Sequence, residues 1–268
     1  MTHCVPLPRA QRYESDAGDF AFTMTTTSTL RLGQVLFRLR SLTPVPVVAL
    51  CGWLLWRSRG VAGPGGVEVD AAMDALGLVL ALAGQVLRFR VLGMVPEGTS
   101  GQNLTLQAST LNTRGPYAHV RNPLYVGNLG IVLGLACIAH EPWVYALGLG
   151  FFFGEYFFII RAEESFLRGK FGAPFDEYCQ KVPRWIPRVS AAYPGELRGG
   201  GFDWQRALKK EINPFAAWAS GALALFAWEW WARGTLTGTR LWLLGALELA
   251  VLLALGGIKV WKKGWLGK

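Results

Sequence analysis

Charge is scarce in this chain. Only 17% of its 268 residues are Asp, Glu, Lys or Arg, while 51% are hydrophobic, and the mean hydropathy of +0.27 is high for a soluble domain. This composition points to a membrane protein. Cysteine is also sparse. Cys4, Cys51, Cys137 and Cys179 form no C-x-x-C pair, so neither a disulfide framework nor a zinc site is expected. The three histidines, His3, His119 and His140, are far apart in sequence, so no metal centre is expected. There is no internal repeat. The first 30 residues are polar and Thr-rich and lack the basic-then-apolar pattern of a cleavable signal, which predicts a loosely attached tail.

What is present is apolar sequence in long runs. Hydropathy predicts an all-α fold, a polytopic membrane helix bundle of about six transmembrane helices. These fall near Thr43 to Trp56, Ala71 to Leu87, Leu124 to Ile138, Trp143 to Ile160, Pro214 to Trp231 and Arg240 to Lys259. The triplet His140-Glu141-Pro142 reads as a tight turn, because Pro142 blocks continuation and favours a new helix start. The expected organisation is a tail over 1–30, a core over 31–188, a Gly-rich linker over 189–213 and a helix pair over 214–268.

With six spans, Arg57, Arg59, Arg233 and Arg240 fall on one side and the other 23 of the 27 Lys and Arg residues on the other. The positive-inside rule then puts both termini in the cytoplasm, in an inner or cytoplasmic membrane. That placement accounts for the net charge of +9 better than nucleic acid does, since no basic stripe is interleaved with aromatics. The lipid bilayer is the expected partner, and oligomeric state stays open.

Polar chemistry concentrates at the mouth of an apolar segment. The stretch GPYAHVRNPLY, residues 115–125, packs prolines, arginine, histidine, asparagine and tyrosines between two apolar runs. Glu163 and Glu164 follow the next apolar run, where negative charge opposes the helix dipole. Two readings stand: a structural network with Arg121, Arg161, Arg168 and Arg184, or a site. Arg121-Asn122-Pro123 divides the same way, between an interfacial anchor and a site. Glu155, within an apolar wall, is a candidate base or a structural hydrogen-bond partner. Glu229 and Glu248 carry the same ambiguity.

In order and spacing, GPYAHVRNPLYVG, an apolar hairpin, the Glu pair and FG..F.EYC.KVPRWIP resemble the integral-membrane methyltransferases that include isoprenylcysteine carboxyl methyltransferase and phosphatidylethanolamine N-methyltransferase. The resemblance spans Gln102 to Pro187. It implies S-adenosyl-L-methionine as cofactor and a membrane helix bundle in place of the Rossmann-like soluble fold, and no G-x-G-x-x-G follows a strand here. Carried over by position, it places cofactor contacts at Gln102, around Ser109 to Asn112, and at Gly115, Tyr117, Arg121, Asn122, Pro123, Leu124, Tyr125, Glu163 and Glu164. Arg121, Glu163 and Glu155 are the expected catalytic residues.

Two departures matter. Asn122 stands where the family usually has His, so it can hydrogen-bond but not take a charge. Ile159 stands where the prenylcysteine enzymes have a substrate-binding Arg. Unless Arg161 swings in, a substrate carboxylate has no partner, which favours a lipid-like or small hydrophobic acceptor carrying an amine or thiol. Methyl transfer from a sulfonium requires held geometry, with neither metal nor covalent nucleophile. A sterol-type reductase using NADPH and a non-catalytic protein with a decayed site are the alternatives. The Glu pair speaks against the first, and Asn122 supports the second.

Overall fold

The computed structural model describes residues 28–58, 66–95, 108–195 and 201–266. Gln102 and most of the expected tail lie outside the described residues. The chain is all-α, in the order α1 (Ser28–Leu39), α2 (Pro44–Ser58), α3 (Gly66–Met94), a 3-10 turn (Gly115–Ala118), α4 (Pro123–Ala139), α5 (Pro142–Phe171), α6 (Ala173–Lys181), α7 (Trp204–Ala232) and α8 (Gly238–Leu266).

The expectation of six spans is corrected. Among the described residues three helices are long and apolar enough to cross a membrane, Glu68–Met94, Pro142–Phe171 and Gly238–Lys262. The count rises to four if α1 and α2, bent by 70° at their junction, form one broken span. The remaining helices fail for physical reasons. At 17 residues, α4 is about 25 Å long, short of a hydrocarbon core of ~30 Å. Helix α7 is long enough, but its Arg, Lys, Glu and Asn residues dilute its apolar stretch. The division of basic residues into 23 and four assumed six spans and goes with that count.

Helix ends follow local chemistry. Proline sits in the first turn of α4 and of α5, where its missing N–H costs nothing. Helix α7 begins ten residues before the expected Pro214 and runs through that proline. Asp203 caps it, accepting from the Arg206 backbone N–H at 2.8 Å, a strong N-terminal signal. Likewise α5 runs on to Phe171. Glu163 and Glu164 therefore lie inside a helix, about two turns before its end, and the dipole argument against them weakens.

Side-chain contacts fix the packing. Arg88 meets Asn128 and Glu211, while at the other end of the same helices Asp74 meets His140 and Asp70 meets Arg233. So α4 and α7 both lie antiparallel to α3. The α5 helix turns back along α4, and Thr43 at the α1–α2 bend donates to its Glu155. The main core joins Phe37, Val91, Leu92, Leu124, Phe152 and Ile159. Helix α8 packs on α7, and its Trp242 and Leu253 stay exposed, as suits a lipid-facing surface.

Helices α3 and α4 touch backbone to backbone. A Cβ at Gly77 would fall 2.6 Å from the Gly134 carbonyl oxygen, and one at Gly134 would fall 2.8 Å from the Ala81 nitrogen. Small residues at such a seam are how membrane helices pack without a hydrophobic driving force. Gly77→Val is expected to force α3 and α4 apart at a cost of about 1–3 kcal/mol, read as a lower melting temperature in detergent. Gly52→Ala is the control. A Cβ there meets nothing within 4 Å, and its melting temperature should be unchanged or slightly raised.

Candidate functional site

The polar stretch before α4 and the C-terminal half of α5 meet at one end of the bundle. Positive φ at Gly115 (59°) starts the 3-10 turn. That turn sets Tyr117 against the main core. The Tyr117 carbonyl accepts from the Tyr178 hydroxyl at 2.8 Å, which ties the turn to α6. The segment 182–188 then closes over it. Arg121 N–H donates to the Pro183 carbonyl at 2.9 Å, and Arg188 N–H donates to the His119 carbonyl at 2.9 Å. Asn122 precedes α4 and donates to the Arg184 carbonyl at 3.3 Å. Its side chain thus braces the closing segment.

The paired carboxylates of α5 divide into two jobs. Glu164 accepts from Arg121 Nη1 at 3.0 Å and from Arg184 at 3.0 and 2.6 Å. It staples the 121 turn and the 184 segment to the helix. Of the other two arginines expected to join a network, Arg168 pairs with Asp176 at 2.7 Å and Arg161 lies over the Phe157 ring at 4.7 Å. Glu163 faces the buried tyrosines instead. It lies close enough to Tyr117 and Tyr125 to act on both hydroxyls. Burial first, and the Glu163 charge second, push the Tyr117 hydroxyl pKa well above its ordinary value, so Tyr117 stays a neutral donor. Arg40 from the α1–α2 bend completes the surroundings of Glu163.

Two polar atoms here lack the partners that burial normally demands. Arg121 Nε is buried and forms no hydrogen bond, and Tyr125 Oη, equally buried, makes no well-formed bond although the Glu163 carboxylate interacts with it as an acceptor. Tyr125, in the first turn of α4 with Pro123 and Leu124, packs its ring 4.4 Å from that of Tyr156. The Tyr156 hydroxyl accepts from Asn128 at 2.6 Å, and Asn128 accepts from Arg88. Of the other expected positions, Ser109 to Asn112 precede the 3-10 turn. Glu155 is buried and held by Thr43. Ile159 is wholly buried in the main core, and Arg161 points away from it.

Arg40, Thr43, Asn128 and Tyr156 escaped the sequence reading. Asn128 alone left a signal, a polar amide inside an apolar helix. The others are brought in by the α1–α2 bend and by the turn of the hairpin. A cavity of about 200 Å³ between α2 and α5, lined by Cys51, Leu55, Ser58, Glu141 and Trp143, contains none of the expected site residues.

A phospholipid methyltransferase family model matches residues 73–174, from about two turns into α3 to the start of α6. Protein-S-isoprenylcysteine O-methyltransferase of Xenopus laevis is 33% identical over 124 residues, which are 44% of this chain and 41% of that protein. Cobalt-zinc-cadmium resistance protein CzcN of Cupriavidus metallidurans is 41% identical over 88 residues, 33% of this chain and 40% of that protein. Nickel-cobalt-cadmium resistance protein NccN of Alcaligenes xylosoxydans xylosoxydans is 33% identical over 84 residues, 31% of this chain and 39% of that protein. The chain thus spans about two fifths of the length of the curated relatives it matches. No solved structure matches. The fold is an all-α, multi-pass membrane helix bundle. Both the family model and the Xenopus relative carry the description of a methyltransferase.

Proposed function

We propose that the chain binds S-adenosyl-L-methionine at the 115–125 turn against α5 and transfers its methyl group to an amine or thiol on a membrane-borne acceptor. The observation that carries this reading is the buried, unpartnered Arg121 Nε at the turn, together with the buried Tyr125 hydroxyl that faces the Glu163 carboxylate. Their chemistry fits the cofactor. An arginine N–H suits a carboxylate, and Glu163 with Tyr125 suits an ammonium or ribose hydroxyl. Aromatic faces of Tyr117, Tyr125 and Tyr156 suit a sulfonium cation.

When bound, the cofactor supplies an already activated methyl group. The protein's share is placement. Arg121 and Glu163 fix the donor, and Glu164 with Arg184 holds the closing segment over it. The wall of α5 around Phe152 and Tyr156 excludes water. Glu155 is placed to take a proton from an incoming acceptor, with Thr43 orienting its carboxylate. Ile159 supports the choice of acceptor. Its burial in the core leaves no cation at that position to meet a substrate carboxylate, and an unpaired buried carboxylate would cost several kcal/mol.

The test incubates purified protein in lipid with radiolabelled methyl donor. Label that enters the organic phase and survives mild base, which cleaves methyl esters, is expected. Base-released methanol as the main product would mean a carboxyl acceptor. Binding of NADPH without binding of the methyl donor would overturn the assignment altogether.

A further inference from the structure

The opposite end of the bundle holds a second constellation that the methyl-transfer reading does not use. Asp74 of α3, His140 from the α4–α5 turn and Glu229 of α7 bring one ligand atom each to within 4.8 Å of one another. His140 Nε2 lies 2.9 Å from Asp74 Oδ1 and 3.8 Å from Glu229 Oε2. The His140 side chain is 6% exposed and that of Glu229 5%, against 20% for Asp74. The cluster is therefore dry on two sides and reachable past the third.

Glu229 Oε2 is the telling atom. It is buried and has no hydrogen-bond partner, although Oε1 of the same carboxylate pairs with Arg233 at 3.0 Å. An ionised oxygen left alone at such depth is costly, and this one faces the imidazole nitrogen. Charge balance points the same way. Asp70, Asp74 and Glu229 supply three negative charges, and Arg233, which pairs with Asp70 at 2.5 Å, offsets one. Two remain, the charge of one divalent cation beside a neutral imidazole. Asp70 Oδ1 lies 3.9 Å from Nδ1, beyond hydrogen-bond reach, so Nε2 is the ring nitrogen that faces the other two carboxylates. His140 holds a left-handed backbone conformation (φ 54°, ψ 10°), uncommon for a residue with a side chain.

We propose that Asp74, His140 and Glu229 form a site for a divalent first-row transition-metal ion of the Zn²⁺ and Co²⁺ kind, with a solvent ligand on the Asp74 side. One imidazole nitrogen and two carboxylates suit such ions. Ligand atoms around a tetrahedral ion sit about 3.3 Å apart for metal–ligand bonds of about 2.0–2.1 Å, so closing the site asks for small rotamer shifts. The ion's role at this end is to tie α3, the hairpin turn and α7 together.

The probe is Co²⁺, titrated into full-length protein stripped of metal in lipid nanodiscs and followed by visible absorption. One equivalent should give a ligand-field band that Zn²⁺ abolishes and excess Mg²⁺ does not. Glu229→Gln keeps the Arg233 hydrogen bond through its amide oxygen and removes the charged ligand. It should weaken Co²⁺ by more than about tenfold, the lower bound for losing even an outer partner of a metal ligand. His140→Asn, whose side chain tolerates the left-handed backbone, should abolish the band. Absence of a band in the unmodified protein would overturn the site and leave an ion-paired imidazolium only. An unchanged Co²⁺ affinity in Glu229→Gln would place the metal elsewhere and overturn it equally, whether or not His140→Asn folds. Neither readout depends on methyl transfer.

Discussion

Replacing Glu211 with alanine is expected to destabilise the protein by about 3–5 kcal/mol, the range for removing one partner of a buried ion pair. The pair joins α3 to the N-terminal part of α7. Arg88 Nε and Nη2 donate to the two oxygens of Glu211 at 2.9 and 2.7 Å, and Gln85 adds a third bond at 2.7 Å. The side chains are only 9% and 3% exposed, so water cannot replace a lost partner. Trp218 of α7 donates to the other end of the Gln85 amide at 2.8 Å, and Arg88 Nη1 donates to Asn128. Alanine at 211 would leave the Arg88 guanidinium buried beside a cavity with one of its partners gone. Thermal unfolding in detergent should show a large drop in melting temperature. Replacing both partners, with Arg88→Met and Glu211→Met, should recover most of it, because two apolar side chains of similar volume carry no desolvation cost. A double variant no more stable than Glu211→Ala would show that the pair contributes more than charge compensation. The network continues from Asn128 to Tyr156, so the single variant should also loosen the tyrosines that face Glu163.

Much of this could be read from the sequence, for identifiable reasons. The α4–α5 hairpin was legible because Pro123 and Pro142 mark its starts and the residues between are apolar but for Asn128 and the His140-Glu141 turn. The convergence of Arg121, Arg184 and Glu164 was legible because the hairpin returns the chain to its own mouth. Span number was not. Hydropathy registers apolar windows, and α4 is apolar but short while α7 is long but diluted. The extension of α7 back to Trp204 hid behind Pro214, a residue that usually starts a helix; the Asp203 cap and the Arg88–Glu211 pair hold the extra turns despite the lost backbone hydrogen bond. The cluster at His140 was illegible because its members come from three distant segments, and only antiparallel packing of α3 against α4 and α7 brings them together. The split between the adjacent carboxylates was also beyond reach. Successive helical positions point about 100° apart, but which of them meets the arginines depends on where the 182–188 segment crosses.

That split sets the second large expectation. Glu163→Gln keeps the shape of the side chain and removes its charge. Loss of one charge-assisted hydrogen bond costs ~1.5–3 kcal/mol, so affinity for S-adenosyl-L-methionine should fall roughly ten- to over a hundredfold. The stability of the unliganded protein should move the other way or not at all. Burial and the neighbouring Glu164 both oppose a charge on Glu163, against the attraction of Arg40, and the amide can still accept from the Tyr125 hydroxyl, so neutralising it removes a buried charge at little cost. Glu164→Gln should give the reverse pattern. It weakens the staple to Arg121 and Arg184, lowering the melting temperature, and reaches the cofactor only through the loosened turn. Tyr125→Phe separates the hydroxyl from the ring. In the unliganded protein that hydroxyl interacts with the Glu163 carboxylate without a well-formed hydrogen bond, so its removal should change the melting temperature little. Cofactor affinity should drop by ~0.5–1.5 kcal/mol, the worth of a neutral hydrogen bond. Calorimetric titration of the three variants, each with its thermal melt, reads both quantities. Unchanged affinity in Glu163→Gln would remove Glu163 from the cofactor site. A melting temperature that falls in Tyr125→Phe would mean the hydroxyl already has a structural partner, and the case for a ligand there would rest on Arg121 Nε alone.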